Sequence, residues 1–331
     1  MEAAHIIAAW GKILRGTAPS LAIEITRECP LRCPGCYAYN DEHLGGAITL
    51  REIRDFKGRE LVDRFLALVD RHRPVHVSIV GGEPLVRYRE LNAILPALSK
   101  RGVHAQVVTS AVREIPAEWA AIKGLSLVVS IDGLAPEHDV RRAPATYDRI
   151  LKHVHGHQIT VHCTITRQQV NRAGYLEDFL KFWSPRPETK RVWFSLYTPQ
   201  LGEMSDERLT QDDRRRVVAD LMALRVRYPK LQAPVGLLNA YASPPESPED
   251  CVFARTTASF SADLETRITP CQLGGSPDCA NCGCVASAAL KAVARHQLFG
   301  FIPVGSIFTG SVKIGDRMKR LKTGPLPAPA L

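Results

Sequence analysis

Short runs of β-branched and apolar residues alternate with amphipathic stretches from about residue 20 to residue 197. Six runs are predicted strands: residues 21–26, 76–80, 104–109, 125–131, 159–166 and 191–198. The clearest helix pattern is predicted to begin at Thr49, where Glu52 completes a capping box. Strand–helix alternation predicts parallel strands joined by right-handed crossovers, in an open doubly wound sheet or in a barrel.

One face of several predicted strands is polar, which favours the barrel. A strand in a doubly wound sheet is covered on both faces and should be apolar on both. Here polar residues recur with period two, as Ser130 and Asp132, then His162, Thr164 and Thr166, then Ser195 and Tyr197. Such side chains fit a polar lumen, with edge strands facing water as the alternative. We therefore expect an α/β fold with a partial (β/α)6 parallel barrel and a small Cys-rich C-terminal domain.

The composition divides the chain into a large α/β region and a small cysteine-rich region. Residues 1–19 are predicted to be a helical lead-in, and residues 20–230 to form the barrel. The Pro-rich, acidic stretch PPESPED marks a linker that we place at 231–250. Residues 251–331 are expected to form the C-terminal domain and its tail.

Composition and charge limit the possible partners. The chain has 45% apolar and 23% charged residues and a net charge of +9, which suits a soluble globular protein with a solvated basic face. The tightest basic run, Arg214–Arg216, has no interleaved aromatic residues, which argues against nucleic-acid binding. No apolar stretch is long enough to span a membrane, and the N-terminus lacks a signal-peptide layout, so we expect a cytoplasmic protein. Peripheral membrane contact through residues 287–322 stays open, although packing on the barrel is favoured.

Nine cysteines in such a chain indicate metal ligation rather than a disulfide framework. Three follow the first predicted strand with the spacing Cys29-x3-Cys33-x2-Cys36. Three thiolates this close can hold three corners of a four-iron cubane and leave the fourth iron open to a small molecule. A structural zinc site with His43 as fourth ligand is the alternative. The position argues against zinc, because catalytic loops lie at the carboxyl ends of parallel strands.

The cysteine spacing resembles the signature of the radical SAM superfamily, which implies a [4Fe-4S] cluster coordinated by three cysteines and S-adenosylmethionine. HVSIVGGEP after the second strand resembles the family's second motif, which contacts the methionine amino group. VTS and SIDG, at the ends of the third and fourth strands, fit its ribose- and carboxylate-contacting positions, and SIDGLAPEHDVRR resembles the same stretch in members with extra clusters. Many members have an aromatic residue where Gly35 stands, and Tyr37 is the expected substitute beside the adenine. The cofactor-binding residues implied by the resemblance and by the polar strand face are Tyr37, Gly81, Gly82, Glu83, Pro84, Thr109, Ser130, Asp132 and Thr164.

Five further cysteines form a second group near the C-terminus. Cys251 and Cys271 flank a predicted hairpin, and the segment PDCANCGC follows. This arrangement resembles the Twitch or SPASM type of auxiliary-cluster domain and implies one auxiliary [4Fe-4S] cluster. Its expected ligands are Cys251, Cys271, Cys279 and Cys282, with Cys284 as the substitute. A zinc site with four cysteine ligands is the alternative. The remaining cysteine, Cys163, is expected to be a buried structural thiol.

The resemblance implies an enzyme whose first cluster is reduced by a one-electron donor of the flavodoxin or ferredoxin type. The cluster would cleave S-adenosylmethionine and give a 5′-deoxyadenosyl radical, which abstracts hydrogen from a substrate or adds to it. We expect a small metabolite or lipid, because only about twenty residues precede the first strand, too few for a peptide-grasping domain. Radical modification of a ribosomal peptide or protein is the second alternative, and a non-catalytic iron–sulfur or zinc scaffold is the third.

Overall fold

The structure, a computed structural model, describes residues 3–298 and 302–323. Its centre is an eight-stranded sheet with the order β6-β5-β4-β3-β2-β1-β7-β8. The first six strands are β1 (Ser20–Glu24), β2 (His76–Val80), β3 (His104–Thr109), β4 (Leu125–Ser130), β5 (Ile159–Ile165) and β6 (Thr189–Leu196). Each pairs in parallel with the next, and the sheet does not close between its end strands β6 and β8. The expected partial (β/α)6 barrel is confirmed.

Helices connect the parallel strands and cover their apolar face. They are α2 (Gly58–His72), α3 (Tyr88–Lys100), α4 (Ala135–Arg142), α5 (Tyr147–His153), α6 (Arg167–Val170) and α7 (Tyr175–Trp183). Leu21 and Ile23 of β1 share one buried core with Leu61 and Phe65 of α2. Each such side chain contributes about 1.5–3 kcal/mol when it is fully buried. This core holds the carboxyl ends of the strands in fixed positions, which is where the loops of interest lie.

The helix expected at Thr49 begins at Gly58 instead. The predicted capping contact does form, since the Thr49 backbone N–H and hydroxyl both donate to Oε2 of Glu52 at 2.8 Å. No helix follows there, because Leu50 and Ile53 are buried in a small cluster that packs against the segment after Cys36. The apolar residues Leu50 and Ile53 therefore pack into this cluster and do not form the apolar face of a helix.

The cysteine-rich region continues the barrel sheet. It follows α8 (Gln211–Arg227) and α9 (Val235–Ala242) and contains α10 (Val252–Thr256), β7 (Thr257–Phe260) and β8 (Arg267–Ile268). The predicted hairpin is present, since β7 and β8 are antiparallel, and β7 also pairs in parallel with β1. The segment 231–250, expected to be a linker, contains α9, whose Leu238 and Tyr241 are buried. That part of the segment is packed against α8 and against the helix Val285–Arg295, and the expected domain bounds stay a prediction.

The chain ends described by the structure lie against each other. Beyond the hairpin come α11 (Val285–Arg295), β9 (Gln297–Leu298), β10 (Ile302–Pro303) and α12 (Val304–Thr323), and α12 packs on α1 (Ala3–Leu14). A Cβ at Gly315 would lie 2.1 Å from the carbonyl oxygen of Ile13, so glycine allows this close approach. Residues 1–2 of the expected lead-in and residues 299–301 and 324–331 of the expected C-terminal region lie outside the described residues. Within the described part, no helix is long and apolar enough to cross a membrane.

Candidate functional site

The first three cysteines lie on the loop that leaves β1 at the carboxyl edge of the sheet. Neighbouring loops hold this loop in place: the backbone N–H of Glu83 donates to the Glu28 carbonyl at 2.8 Å, and Arg141 donates to the Pro34 carbonyl at 2.9 Å. Cys29, Cys33 and Cys36 are partly buried free thiols. Burial raises the pKa of Cys29 to about 12 and also raises that of Cys33. Thiols bind metals as thiolates, so a metal that binds here would have to displace these protons.

The loop after β2 is pressed against the cysteine loop. Gly81 and Gly82 have φ values of +80° and +49°, and a Cβ at Gly82 would lie 2.3 Å from the Glu28 carbonyl oxygen. A Cβ at Gly81 would lie 2.2 Å from the Cβ of Glu24 at the end of β1. Glycines are therefore required for this loop to approach both β1 and the cysteine loop. Pro84 follows at the start of a short, buried 3-10 helix.

The carboxylate of Glu83 is buried and bound by the protein itself. It accepts hydrogen bonds from the Leu85 N–H at 2.9 Å, from the Ser110 N–H at 2.8 Å, and from the hydroxyls of Thr109 and Ser110. An ionised carboxylate has about four lone-pair positions, and four donors occupy them here. Glu83 and Thr109 were both expected to contact the cofactor. In the structure their side chains bind each other and tie the loop after β2 to the end of β3.

Asp132, at the end of β4, forms a buried ion-pair cluster beside the cysteine loop. Its Oδ2 accepts from Nε of Arg142 at 2.7 Å and from Nε of Arg141 at 3.1 Å. Its backbone N–H donates to Nδ1 of His138 at 3.0 Å, so Nε2 of His138 carries the proton and donates to a carbonyl oxygen. Burial disfavours the charged Asp132, but the charges of Arg142 and Arg141 and the hydrogen bond from Arg142 together outweigh it and lower the pKa of Asp132.

The two arginines connect this cluster to the cysteines. Burial opposes the charge on Arg142, yet the negative charge of Asp132 raises the pKa of Arg142, and Cys33 lies close enough for a thiolate there to add to this effect. Arg141 also pairs with Glu207 on the loop after β6. Sequence reasoning singled out Asp132 and missed both arginines. The signal was present at the end of SIDGLAPEHDVRR, where two adjacent basic residues follow the SIDG loop.

The polar face of β4, β5 and β6 lines the inside of the sheet, as the period-two pattern predicted. Ser130 and Thr164, both expected to contact the cofactor, lie on this face, in register with His162 and Ser195 on the neighbouring strands. His162 and Ser195 share a hydrogen bond of 2.8 Å, and burial lowers the pKa of His162 to about 4, so its ring is neutral at pH 7. Cys163 points to the other face and is buried in the core, as expected for a structural thiol.

A cavity of about 540 Å³ opens between the cysteine loop and the loop after β6. Its lining includes Cys33, Cys36, Tyr37, Tyr39, Arg32 and Arg51. Its volume falls within the range of about 300–1,000 Å³ that is usual for sites of small organic ligands. Tyr37, the expected adenine contact, therefore lies beside the cysteines in a space large enough for a cofactor.

The five C-terminal cysteines also gather at one place. Cys251, Cys271, Cys279, Cys282 and Cys284 line a single cavity with an apolar surface. Burial raises the pKa of Cys271 to about 12 and that of Cys279 to about 11, so these thiols are neutral at pH 7 without a metal. In residues 3–298 and 302–323, no three His, Cys, Asp or Glu side chains converge on a site for one metal ion. The donor set itself, five thiols around one cavity, fits an iron–sulfur cluster or another thiophilic metal centre.

His43, considered above as a zinc ligand, is turned away from the cysteines. Its Nε2 lies 2.8 Å from Oε1 of Glu24, and its Nδ1 lies 3.0 Å from the Leu273 carbonyl oxygen. Both ring nitrogens are therefore used, and Ser261 donates to the second oxygen of Glu24 at 2.7 Å. Glu24 and His43 are each 1% exposed. This buried pair joins the segment after Cys36 to the loop after Cys271.

Comparison with known proteins agrees with this geometry. Residues 23–166 match the model of the radical SAM superfamily, and this segment contains all three cysteines, the glycine loop and Asp132. This match assigns residues 23–166 of the chain to the radical SAM superfamily. The Fe-coproporphyrin III synthase of Methanosarcina barkeri (strain Fusaro / DSM 804) is 27% identical to this radical SAM protein over 222 residues. The alignment covers 63% of this chain and 52% of that relative, so the chain matches about half the length of its curated relative.

Solved structures share the fold of this radical SAM protein. SuiB of Streptococcus suis, solved bound to the precursor peptide SuiA, superposes on 92% of this chain and 67% of its own, with a TM-score of 0.56 and 17% identity. A His-tagged anSMEcpe with bound AdoMet superposes on 93% of this chain and 96% of its own, with a TM-score of 0.57 and 12% identity. At these identities the likeness shows the fold. The superfamily implies S-adenosylmethionine and a [4Fe-4S] cluster as cofactors.

Proposed function

We propose that this radical SAM protein cleaves S-adenosylmethionine reductively at a [4Fe-4S] cluster held by Cys29, Cys33 and Cys36, and acts on a small metabolite or lipid. When bound, the cluster and its cofactor supply a 5′-deoxyadenosyl radical, which abstracts hydrogen from the substrate or adds to it. One observation carries the proposal. The cysteine loop, the glycine loop after β2 and the Asp132–Arg142 pair meet at the carboxyl edge of the sheet.

Three groups of residues at that edge have separate proposed roles in holding the cofactor. Gly81 and Gly82 bring the loop after β2 against the cysteine loop, which leaves backbone groups of this loop to meet the methionine end of the cofactor. Glu83 holds this loop in place, because its carboxylate accepts hydrogen bonds from Thr109 and Ser110 at the end of β3. Asp132 and Arg142 provide opposite charges beside Cys33, which suits the zwitterionic amino and carboxylate groups of the cofactor.

We propose further that the C-terminal cysteines hold one auxiliary [4Fe-4S] cluster and that a cytoplasmic flavodoxin or ferredoxin supplies electrons. Cys251, Cys271, Cys279 and Cys282 are the proposed ligands, with Cys284 as the substitute. The five thiols around one apolar cavity support this assignment. The chain also superposes on nearly the whole of anSMEcpe, which supports a related C-terminal architecture.

The preference for a small substrate rests on two observations. The relative from Methanosarcina barkeri is named for a small-molecule product, Fe-coproporphyrin III. The cavity beside Cys33 and Cys36 has the size of a small-ligand site. A ribosomal peptide or protein is the second candidate, favoured by the superposition on SuiB with its precursor peptide over 92% of this chain.

The central claim is tested by measuring 5′-deoxyadenosine after anaerobic reconstitution and reduction with dithionite. We expect Cys33→Ala to abolish its formation. Cys163→Ala is the matched control, because this thiol lies in the apolar core on the far face of β5 from Thr164 and is not a proposed ligand, and it should retain activity. Continued 5′-deoxyadenosine formation by the Cys33 variant would refute the proposed site.

The substrate class is tested with the same readout. We expect the low-molecular-mass fraction of a cell extract to stimulate 5′-deoxyadenosine formation by the wild-type enzyme, and the peptide fraction to have no effect. Stimulation by the peptide fraction alone would favour the second candidate.

A further inference from the structure

Arg214 is a buried cation in an otherwise solvated stretch of α8. It is the first of three consecutive arginines, yet it is 3% exposed. Arg215 and Arg216 point outward and pair with Asp212 and Asp213 one turn away. Arg214 is therefore buried, whereas the other two arginines of this basic run are exposed.

The guanidinium of Arg214 binds backbone oxygens next to the C-terminal cysteines. It donates to the Cys282 carbonyl at 2.8 Å, to the Asn281 carbonyl at 3.0 Å and to the Tyr241 carbonyl at 3.0 Å. These bonds use three of its five N–H donors and fix the segment that carries Cys279, Cys282 and Cys284. They do not neutralise its charge.

In the described part of the chain no carboxylate forms a salt bridge with Arg214, and the charge of Asp278 acts on it only from a longer distance. Asp213 is occupied by Thr210 and Arg216, and Asp278 pairs with Arg208. Arginine keeps its proton in proteins, and a buried charge without a partner is strongly destabilising. An anionic group at the cysteines would supply the missing counter-charge.

We propose that Arg214 is the counter-charge of the auxiliary cluster and raises its reduction potential. This inference rests on the proposed auxiliary cluster. A four-iron cluster with four thiolate ligands is anionic, and reduction adds one further negative charge. A fixed cation a short distance away stabilises the reduced state more than the oxidised state, and low solvent exposure weakens the screening of this attraction. Loss of the cation must therefore make the potential more negative.

The test is a redox titration of the reconstituted holoenzyme, followed by electron paramagnetic resonance. The first cluster is identified by the change in its signal when S-adenosylmethionine is added. We expect Arg214→Met to shift the auxiliary potential to a more negative value and leave that of the first cluster unchanged. Arg214→Lys keeps the charge and should stay near the wild-type potential, and Arg215→Met is the matched surface control with no expected shift. If Arg214→Met does not retain iron, Arg214→Gln replaces it with the same expectation.

Two outcomes would overturn the proposal. One is an unshifted auxiliary potential in the Met or Gln variant, and the other is a shift in the Lys variant as large as that in the Met variant, which would assign the effect to geometry. Iron analysis separates this failure from that of the auxiliary cluster itself. About eight irons per chain in the wild type, with no shift in the variants, rejects the role of Arg214 alone. About four irons per chain in the wild type rejects the auxiliary cluster and the inference together.

Discussion

Nε of Arg142 lies 2.7 Å from Oδ2 of Asp132, and this pair connects the end of β4 to the cysteine loop. Arg142 is close enough to Cys33 for a thiolate charge to act on it, so the pair borders the proposed cluster site. Removing one member leaves the other as a buried, partly compensated charge. Substitutions that remove one charge and keep the shape of the side chain, such as Asp132→Asn, should therefore reveal what the pair contributes.

Asp132→Asn should weaken S-adenosylmethionine binding and leave the iron content normal. The loss of one charge-assisted contact costs about 1.5–3 kcal/mol, which corresponds to an affinity loss of about ten- to a hundredfold. Calorimetric titration of the reconstituted protein with S-adenosylmethionine checks this expectation. Asp178→Asn is the control, because Asp178 is exposed and its contact with Lys181 contributes little. Equal affinities in both variants would mean that the end of β4 does not line the cofactor site.

Glu83→Gln should destabilise the fold. Its amide would direct an N–H group at the donors of Leu85, Thr109 or Ser110, where the carboxylate now accepts. Loss of hydrogen bonds to a buried charged group costs about 1.5–3 kcal/mol. Urea unfolding measures the change in the free energy of unfolding. Glu114→Gln, at an exposed position, is the control and should stay within about 0.5 kcal/mol of wild type. An equally small effect of Glu83→Gln would contradict the role of Glu83 in holding the loop after β2.

The barrel could be predicted from the sequence because its signals are local. Period-two polarity at residues such as Ser130 and His162 reflects the pleat of each strand. The hairpin between Cys251 and Cys271 is also a local feature, because its two strands are neighbours in the sequence. The pairing of β7 with β1 could not be predicted, since it joins segments far apart in the chain and no periodicity records it.

Local signals also failed where tertiary packing outweighed them. Thr49 and Glu52 form their capping contact, but burial of Leu50 keeps the segment out of a helix. In the sequence, Arg142 and Arg214 look like ordinary surface charges. Whether an arginine is buried depends on partner residues distant in the chain, such as Cys33 for Arg142 and Cys282 for Arg214. These two arginines are the residues of the candidate sites that pattern reasoning was least able to find.

The choice of auxiliary ligands among five cysteines leads to a prediction on iron content. Cys271→Ala should lose about four of about eight irons per chain, because one missing thiolate opens a corner of the cluster. Cys284→Ala should retain them, if Cys251, Cys271, Cys279 and Cys282 are the ligands. Iron and sulfide analysis after reconstitution checks both variants. Loss of iron in Cys284→Ala with retention in Cys279→Ala would exchange these two residues in the ligand set.

The buried pair of Glu24 and His43 predicts a pH-dependent stability. Burial opposes protonation of the imidazole, but the hydrogen bond and charge of Glu24 outweigh it and raise the pKa of His43. The Leu273 carbonyl oxygen on the other ring nitrogen also requires an N–H donor. A group whose pKa is higher in the folded state stabilises the protein fully below its unfolded pKa, which is about 6.5 for histidine. This stabilisation is lost as the pH rises through the folded pKa.

His43→Gln should therefore lower the free energy of unfolding most at about pH 6, and its deficit against wild type should shrink toward about pH 9. Urea unfolding at a series of pH values measures this deficit. The double-mutant cycle with Glu24→Gln supplies the control, since without the carboxylate the effect of His43→Gln should lose this pH dependence. A deficit that grows with pH, or that keeps its pH dependence when Glu24 is replaced, would show that the charge of His43 is not stabilised by Glu24. The contact between the two cysteine-bearing loops would then rest on the close packing at Gly274, where a Cβ would lie 2.1 Å from the His43 carbonyl oxygen.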